Sequence, residues 1–262
     1  MFSRIYAVLL RHLYLYPRSL SRVMEIFYWP VLDLLVWGFL TLYLMRHPGA
    51  LSEWKAFLLG ALILWDILFR AQQAISVSFL EEIWSRNLLN LFASPLSAFE
   101  FIGATMILSF FKFILAGAVT VVLAWFFYDF NIFRLGFWFI PLVFNLVVMA
   151  WTIGIVTTGI ILLYGEKAEA LAWGIVLFVQ PFGAVFYPVS VLPKSLQYIA
   201  HAMPCSYVFE AMRDIFTRGT TDALTFAVPF LLNALYLWAA LRFFKFMFRQ
   251  AQIRGLLTKL GE

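Results

Sequence analysis

Six stretches of this chain are long and apolar enough to be solvated by hydrocarbon, and no other property restricts its fold as sharply. Crossing roughly 30 Å of acyl chain takes about 20 helical residues. Runs of that order fall near residues 26–45, 56–78, 101–127, 137–163, 171–188 and 223–247. They are continuous and not alternating, which excludes a closed barrel and leaves the α-helix as the spanning element. With 64% apolar and only 13% charged residues, the chain lacks the polar surface of a soluble globule. The expectation is an all-α integral membrane protein with six transmembrane helices in a single domain, residues 1–262.

Both ends are basic. Arg4, Arg11 and Arg18 recur every seven residues with Phe2, Ile5, Leu9 and Leu13 between them, so residues 1–24 suit an N-terminal interfacial helix with its arginines at lipid phosphates and a break at Pro17. Arg11 interrupts the apolar stretch from Ile5 to Leu10 and no small-residue cleavage site follows, so no cleaved signal peptide is expected. Arg242, Lys245, Arg249, Arg254 and Lys259 form the second basic end. Two basic ends on one side require an even number of crossings, and the positive-inside rule puts both termini in the cytoplasm. Residues 79–100 and 164–170 then face inward, and 46–55, 128–136 and 189–222 outward. The net charge of +5 sits largely at these ends and points to anionic lipid headgroups, not to nucleic acid.

Two connections are unusual. Phe79 to Ser97, FLEEIWSRNLLNLFASPLS, reads as a short amphipathic helix, with Leu80, Ile83, Trp84, Leu88 and Leu91 on one face and Glu82, Ser85, Arg86 and Asn90 on the other, stopped by Pro95. A rigid charged helix between two spans suits docking to a separate motor. Residues 189–222 are too long for a simple turn and stay apolar. Leu196, Ile199, Ala200 and Met203 make one helical stripe and Tyr207, Val208, Ala211 and Ile215 another, with Pro193 and Pro204 at the breaks. Two short re-entrant outer helices before the last span fit this pattern.

Residues 186–216, FYPVSVLPKSLQYIAHAMPCSYVFEAMRDIF, resemble the signature region of ABC-2 type exporter permeases through Pro188, Leu192-Pro193, Leu196, Pro204, Glu210 and Arg213. The Glu-rich entry and Ser94-Pro95 exit of segment 79–97 resemble that family's cytoplasmic coupling helix. The resemblance implies a permease subunit of an ABC exporter in the bacterial inner membrane, a homodimer or close heterodimer bound to two copies of an ABC ATPase subunit. It implies ATPase docking through Glu81, Glu82, Ile83, Trp84, Arg86 and Asn87, and an outer gate at Pro188, Pro193, Pro204, Glu210 and Arg213. The chain carries no GxxxxGK[ST] phosphate loop, Gly165-Glu166-Lys167 being the nearest approach, so ATP and Mg are expected on the partner and no cofactor on this chain.

The remaining polar residues admit two readings each. Asp66 and Arg70, one helical turn apart in the second span, form either a structural ion pair or a substrate or gating contact, with Gln72 and Gln73 beside them. Asp33 and Lys112 are further intramembrane candidates. Glu166 and Glu169 offer a second ATPase contact. Cys205, the lone cysteine, reads as a buried thiol, and His12, His47 and His201 are too scattered for a metal site. The substrate class stays open between lipid-linked glycans, lipids and amphipathic drugs. Alternative functions are an intramembrane lipid-modifying enzyme using Asp66, Asp33 or His201, and a passive or secondary transporter.

Overall fold

A computed structural model describes residues 2–16, 19–46, 53–221 and 224–256, which form helices and turns with no strand. In chain order the helices are α1 (Phe2–Leu15), α2 (Leu20–Met45), α3 (Glu53–Trp84), α4 (Leu88–Ala93), α5 (Ala98–Tyr128), α6 (Phe139–Tyr164), α7 (Leu171–Phe182), α8 (Lys194–Ala202), α9 (Pro204–Arg218) and α10 (Leu224–Ile253). Local chemistry sets many of their ends. Ser97 and Glu100 form a reciprocal capping box that starts α5, and Pro204 opens α9 at its first helical position. Asp129 and Gly219 take left-handed conformations that close α5 and α9.

The bundle is organised around α3. Of its apolar window 89% is buried, against 19%, 28% and 22% for α2, α5 and α10, whose outer faces are bare apolar surface. Phe39, Trp125, Phe126, Phe178 and Leu231 all stand exposed, an arrangement suited to hydrocarbon and not to water. α3 runs from one apolar core, around Leu64, Leu146 and Phe209, into a second around Phe79, Phe101 and Phe244. At this second end the rings of Phe92 and Phe248 meet at 5.2 Å, so the end of α10 lies beside α4. At the opposite end Trp138 stacks on Phe226 at 4.7 Å, which puts the start of α10 beside the start of α6. We refer to these as the α4 end and the α9 end.

Among the described residues five helices are long and apolar enough to cross a membrane: α2, α3, α5, the unit built on α6, and α10. The stretch 171–188 differs from expectation. Its helix, α7, has 12 residues and ends at Phe182, a length of only about 18 Å. The chain leaves the helix at Ala184, whose left-handed φ of 52° cannot continue it, and Gly183 leaves room there for the start of α9, since a Cβ on it would lie 2.6 Å from Cys205 Sγ. Beyond it Phe186 stacks on Trp37 of α2 at 4.5 Å. The N-terminal segment also divides differently, since α1 stops at Leu15 and residues 20–24 already belong to α2. Pro17, Arg18, His47 and Lys259 lie outside the described residues.

α3 and α6 cross closely. A Cβ on Gly154 would sit 2.9 Å from Ile75 Cβ and 3.1 Å from the Gln72 carbonyl. Gly154→Leu is therefore expected to push the two helices apart and cost about 1–3 kcal/mol, read as a lower melting temperature in detergent. Gly174→Ala, where the added carbon meets nothing within 4 Å, is the control and should not lower it.

Candidate functional site

The α4 end is a charged junction wrapped in apolar packing. α1 lies across α5 with Val8 buried, and its arginines, partly exposed, pair with carboxylates of α3 and α5. Arg11 Nη1 donates to Glu82 Oε1 at 2.5 Å, and Asn87 Nδ2 donates to Glu82 Oε2 at 2.7 Å. Arg22, in the first turn of α2, donates from Nε to Glu81 Oε1 at 2.9 Å. Arg4 pairs with Glu100 at 3.3 Å and donates to the Pro95 carbonyl. Two arginines expected at lipid phosphates, Arg4 and Arg11, are thus tied to α5, its entry loop and α3. His12 is buried between Glu81 and Glu82, its nitrogens 3.8 and 3.9 Å from their carboxylates. Burial, reinforced by Lys112, Arg11 and Arg22, pushes its imidazole down to about 3, which keeps it neutral.

Segment 79–97 is not one helix. α3 continues to Trp84, the backbone turns at Arg86 with φ 53°, and the six-residue α4 follows, ending at Ala93 before Pro95 is reached. The turn changes which residues face out. Glu82, expected on the polar docking face, is 1% exposed and holds the turn from inside through Arg11 and Asn87. Ile83 is buried too, and Trp84, expected on the apolar face, is 45% exposed. The outward surface is Trp84, Ser85, Arg86, Leu89 and Asn90, with Asn87 half-buried. Trp84 Nε1 donates to Glu169 Oε2 at 3.4 Å, which joins this surface to the 165–170 connection.

From that surface a cleft of about 890 Å3 runs along α3, from Ser85 and Trp84 to Arg70. That is about 22 Å of helix at 1.5 Å per residue. Its walls include Arg22, Trp29, Asp33 and Trp173. Arg70 Nε donates to Asp66 Oδ1 at 3.0 Å inside the bundle, and its Nη2 stands 4.0 Å from Asp33 on α2. The Asp33 side chain is 55% exposed, so these charges grade from buried to open. Gln72 donates to Ser76 and to the Ala172 carbonyl, tying α3 to α7. Gln73 lines the cleft. Lys112 is elsewhere, its ammonium 4.9 Å from the centre of the Tyr16 ring.

At the α9 end the residues of the outer motif come together. Glu210 Oε1 accepts from the Val189 amide at 2.6 Å, and Arg213 donates to the Ala184 and Val185 carbonyls at 2.9 and 3.2 Å. The two side chains pair at 3.3 Å. They pin the irregular stretch after α7 onto α9, satisfying backbone groups that no helix serves. Pro188 caps the turn at 189–191, Pro193 precedes α8 and Pro204 begins α9. The corner between α8 and α9 is held by Tyr236 of α10, whose hydroxyl donates to the Ala202 carbonyl at 2.8 Å.

Sequence reasoning missed Arg11 and Arg22 as partners of Glu82 and Glu81, and Trp29 and Trp173 as cleft walls. Nothing in the local pattern marks them, since their partners are distant in the chain. His201 rings against Tyr207 at 6.1 Å and Asp66 is held by Arg70.

The family model described as ABC-2 type transporter matches residues 7–217. No curated protein matches the chain.

Proposed function

Because this chain belongs to the ABC-2 type transporter family, a family of transport membrane subunits that work with an ABC ATPase, we propose that it is the permease of an ATP-driven exporter. In this reading two copies, or one copy with a close relative, bind two ATPase subunits that hold the ATP and Mg. The α4 end is cytoplasmic together with both termini, in a bacterial inner membrane. α7 and the irregular stretch after it complete a sixth crossing, and α8 and α9 dip back from the outer side with Pro188, Pro193, Pro204, Glu210 and Arg213 around an outer gate.

The observation that carries the proposal is the cleft that begins at the exposed Trp84 turn and ends at Arg70. α3 is unbroken between them, so a displacement at the turn is delivered along a rigid rod to the Asp66–Arg70–Asp33 group. Trp84, Ser85, Arg86 and Asn90 form the ATPase contact, while Glu81 and Glu82 act behind it as positioning residues. Tryptophans beside arginines and carboxylates suit an amphipathic substrate, a lipid or a lipid-linked glycan, with charge at the polar end.

The test is Trp84→Ala combined with Arg86→Glu, in the chain co-purified with its ATPase. A tryptophan and an arginine at the centre of a contact are the residues whose loss costs most. The double variant should fold as the wild type does but bind the ATPase at least about tenfold more weakly, with transport falling in step. Unchanged binding and transport would remove the docking assignment.

A further inference from the structure

A second recess, apolar and lined by none of the residues of the cleft, lies between α5 and α6. Both helices pack on α3 and only marginally on each other, which leaves a groove of about 600 Å3 whose floor includes Ile67 and whose walls include Phe110, Val122, Phe139 and Phe144. Gly117 and Ala118 make it deep: a Cβ on Gly117 would meet nothing nearer than Ile67 at 3.9 Å. Towards the α4 end α5 and α6 are bridged where Trp151 Nε1 donates to Ser109 Oγ at 2.7 Å, and Trp151 itself lines the groove. From Phe110 to Val122 the groove is about 18 Å long at 1.5 Å per residue, close to the depth of one leaflet, half of roughly 30 Å of hydrocarbon.

At its other end the groove meets a polar cleft of about 430 Å3 lined by Lys55, Trp125, Asp129, Asn131 and Arg134. The two are continuous along the chain, since Val122 of the groove lies one turn before Trp125 of the cleft, and Phe133 of the groove adjoins Arg134. Lys55 is held by the Asp129 carbonyl at 3.3 Å, and Arg134 is exposed. Against the one carboxylate of Asp129, two cations leave this mouth net positive. An apolar slot one leaflet deep, opening on a cationic mouth at the end of two spans, has the outline of a phospholipid.

We propose that α5 and α6 seat one phospholipid of the leaflet at the α9 end, its phosphate on Lys55 and Arg134 and an acyl chain in the groove. The site shares no lining residue with the transport cleft and does not depend on the direction of transport. It gives the bundle a lipid filling where α5 and α6 fail to meet. Asp129 faces the same mouth and disfavours a second negative charge on the headgroup.

The full chain, purified in mild detergent, is titrated with phosphatidylglycerol and bound lipid is counted by native mass spectrometry. One lipid should bind the wild type well above the background of further adducts. Lys55→Gln with Arg134→Gln removes charged hydrogen bonds and should weaken it about tenfold. Gly117→Leu, which fills the groove, should weaken it as much, and diacylglycerol with the same chains should bind as weakly as phosphatidylglycerol does to the charge variant. Lys194→Gln, at an exposed cation elsewhere, should change nothing. Should Gly117→Leu aggregate, Val122→Trp narrows the groove from its exposed rim. Equal affinity across the variants would overturn the site, and so would displacement by excess inorganic phosphate. Loss confined to the charge variant would also overturn it, because it would mark surface attraction without a seated chain.

Discussion

Arg70→Gln is expected to destabilise the protein severely, Asp66→Asn less so, and the double variant least. Asp66 and Arg70 are both buried and bonded at 3.0 Å, and removing one partner of such a pair costs about 3–5 kcal/mol because the other charge is left uncompensated. The two singles are not equivalent. Without Arg70 the Asp66 carboxylate has no cation, whereas without Asp66 the guanidinium keeps Asp33 at 4.0 Å and the face of Phe69 at 5.5 Å. Melting temperature and monodispersity in detergent should rank the variants in that order. Export and ATPase rates, scored separately on the double variant, then divide structure from function. A double variant that assembles and hydrolyses ATP with its partner but does not export assigns the pair to the transport path, and one that exports fully makes it structural. A double variant less stable than Arg70→Gln would show that the pair is not the unit described.

Glu82→Arg should fail to assemble at all. It sets a second guanidinium against Arg11 in a site where Glu82 is 1% exposed, and it strips Asn87 of its acceptor. Like charges forced together away from water are among the few single changes that exceed the usual range of mutational damage. Arg11→Glu added to it restores the opposite sign across the junction and should recover part of the folded yield, measured by size exclusion of the solubilised protein. The contrast with Trp84→Ala and Arg86→Glu is the informative part, since that pair should uncouple without unfolding. Normal assembly of Glu82→Arg would refute the junction.

What could be read in advance was whatever depends on near neighbours in the chain. The breaks at Pro193 and Pro204 and the Asp66–Arg70 pair each lie within a few residues of their cause. The turn at Arg86 escaped, because φ 53° at a non-glycine residue is imposed by what surrounds it. In place of one amphipathic helix the chain makes the end of α3, a turn and α4, and the periodicity of Leu80, Ile83, Leu88 and Leu91 survives because both pieces press on the same core.

By itself, then, the sequence determined that this protein is all-helical and membrane-spanning, because hydrophobic length is a property of each run alone and hydrocarbon admits few ways to satisfy a backbone. It also carried a resemblance to the ABC-2 type transporters, the family whose model matches residues 7–217. Only the tertiary structure decided that Glu81 and Glu82 face inward, that α7 stops at Phe182, that α3 borders a charged cleft and that α5 and α6 leave an apolar groove between them. Those outcomes rest on partners 71 and 59 residues away for Glu82 and Glu81. They rest equally on how closely the chain approaches its neighbours where Gly154 and Gly183 carry no side chain. Neither quantity is periodic, so neither leaves a trace along the chain.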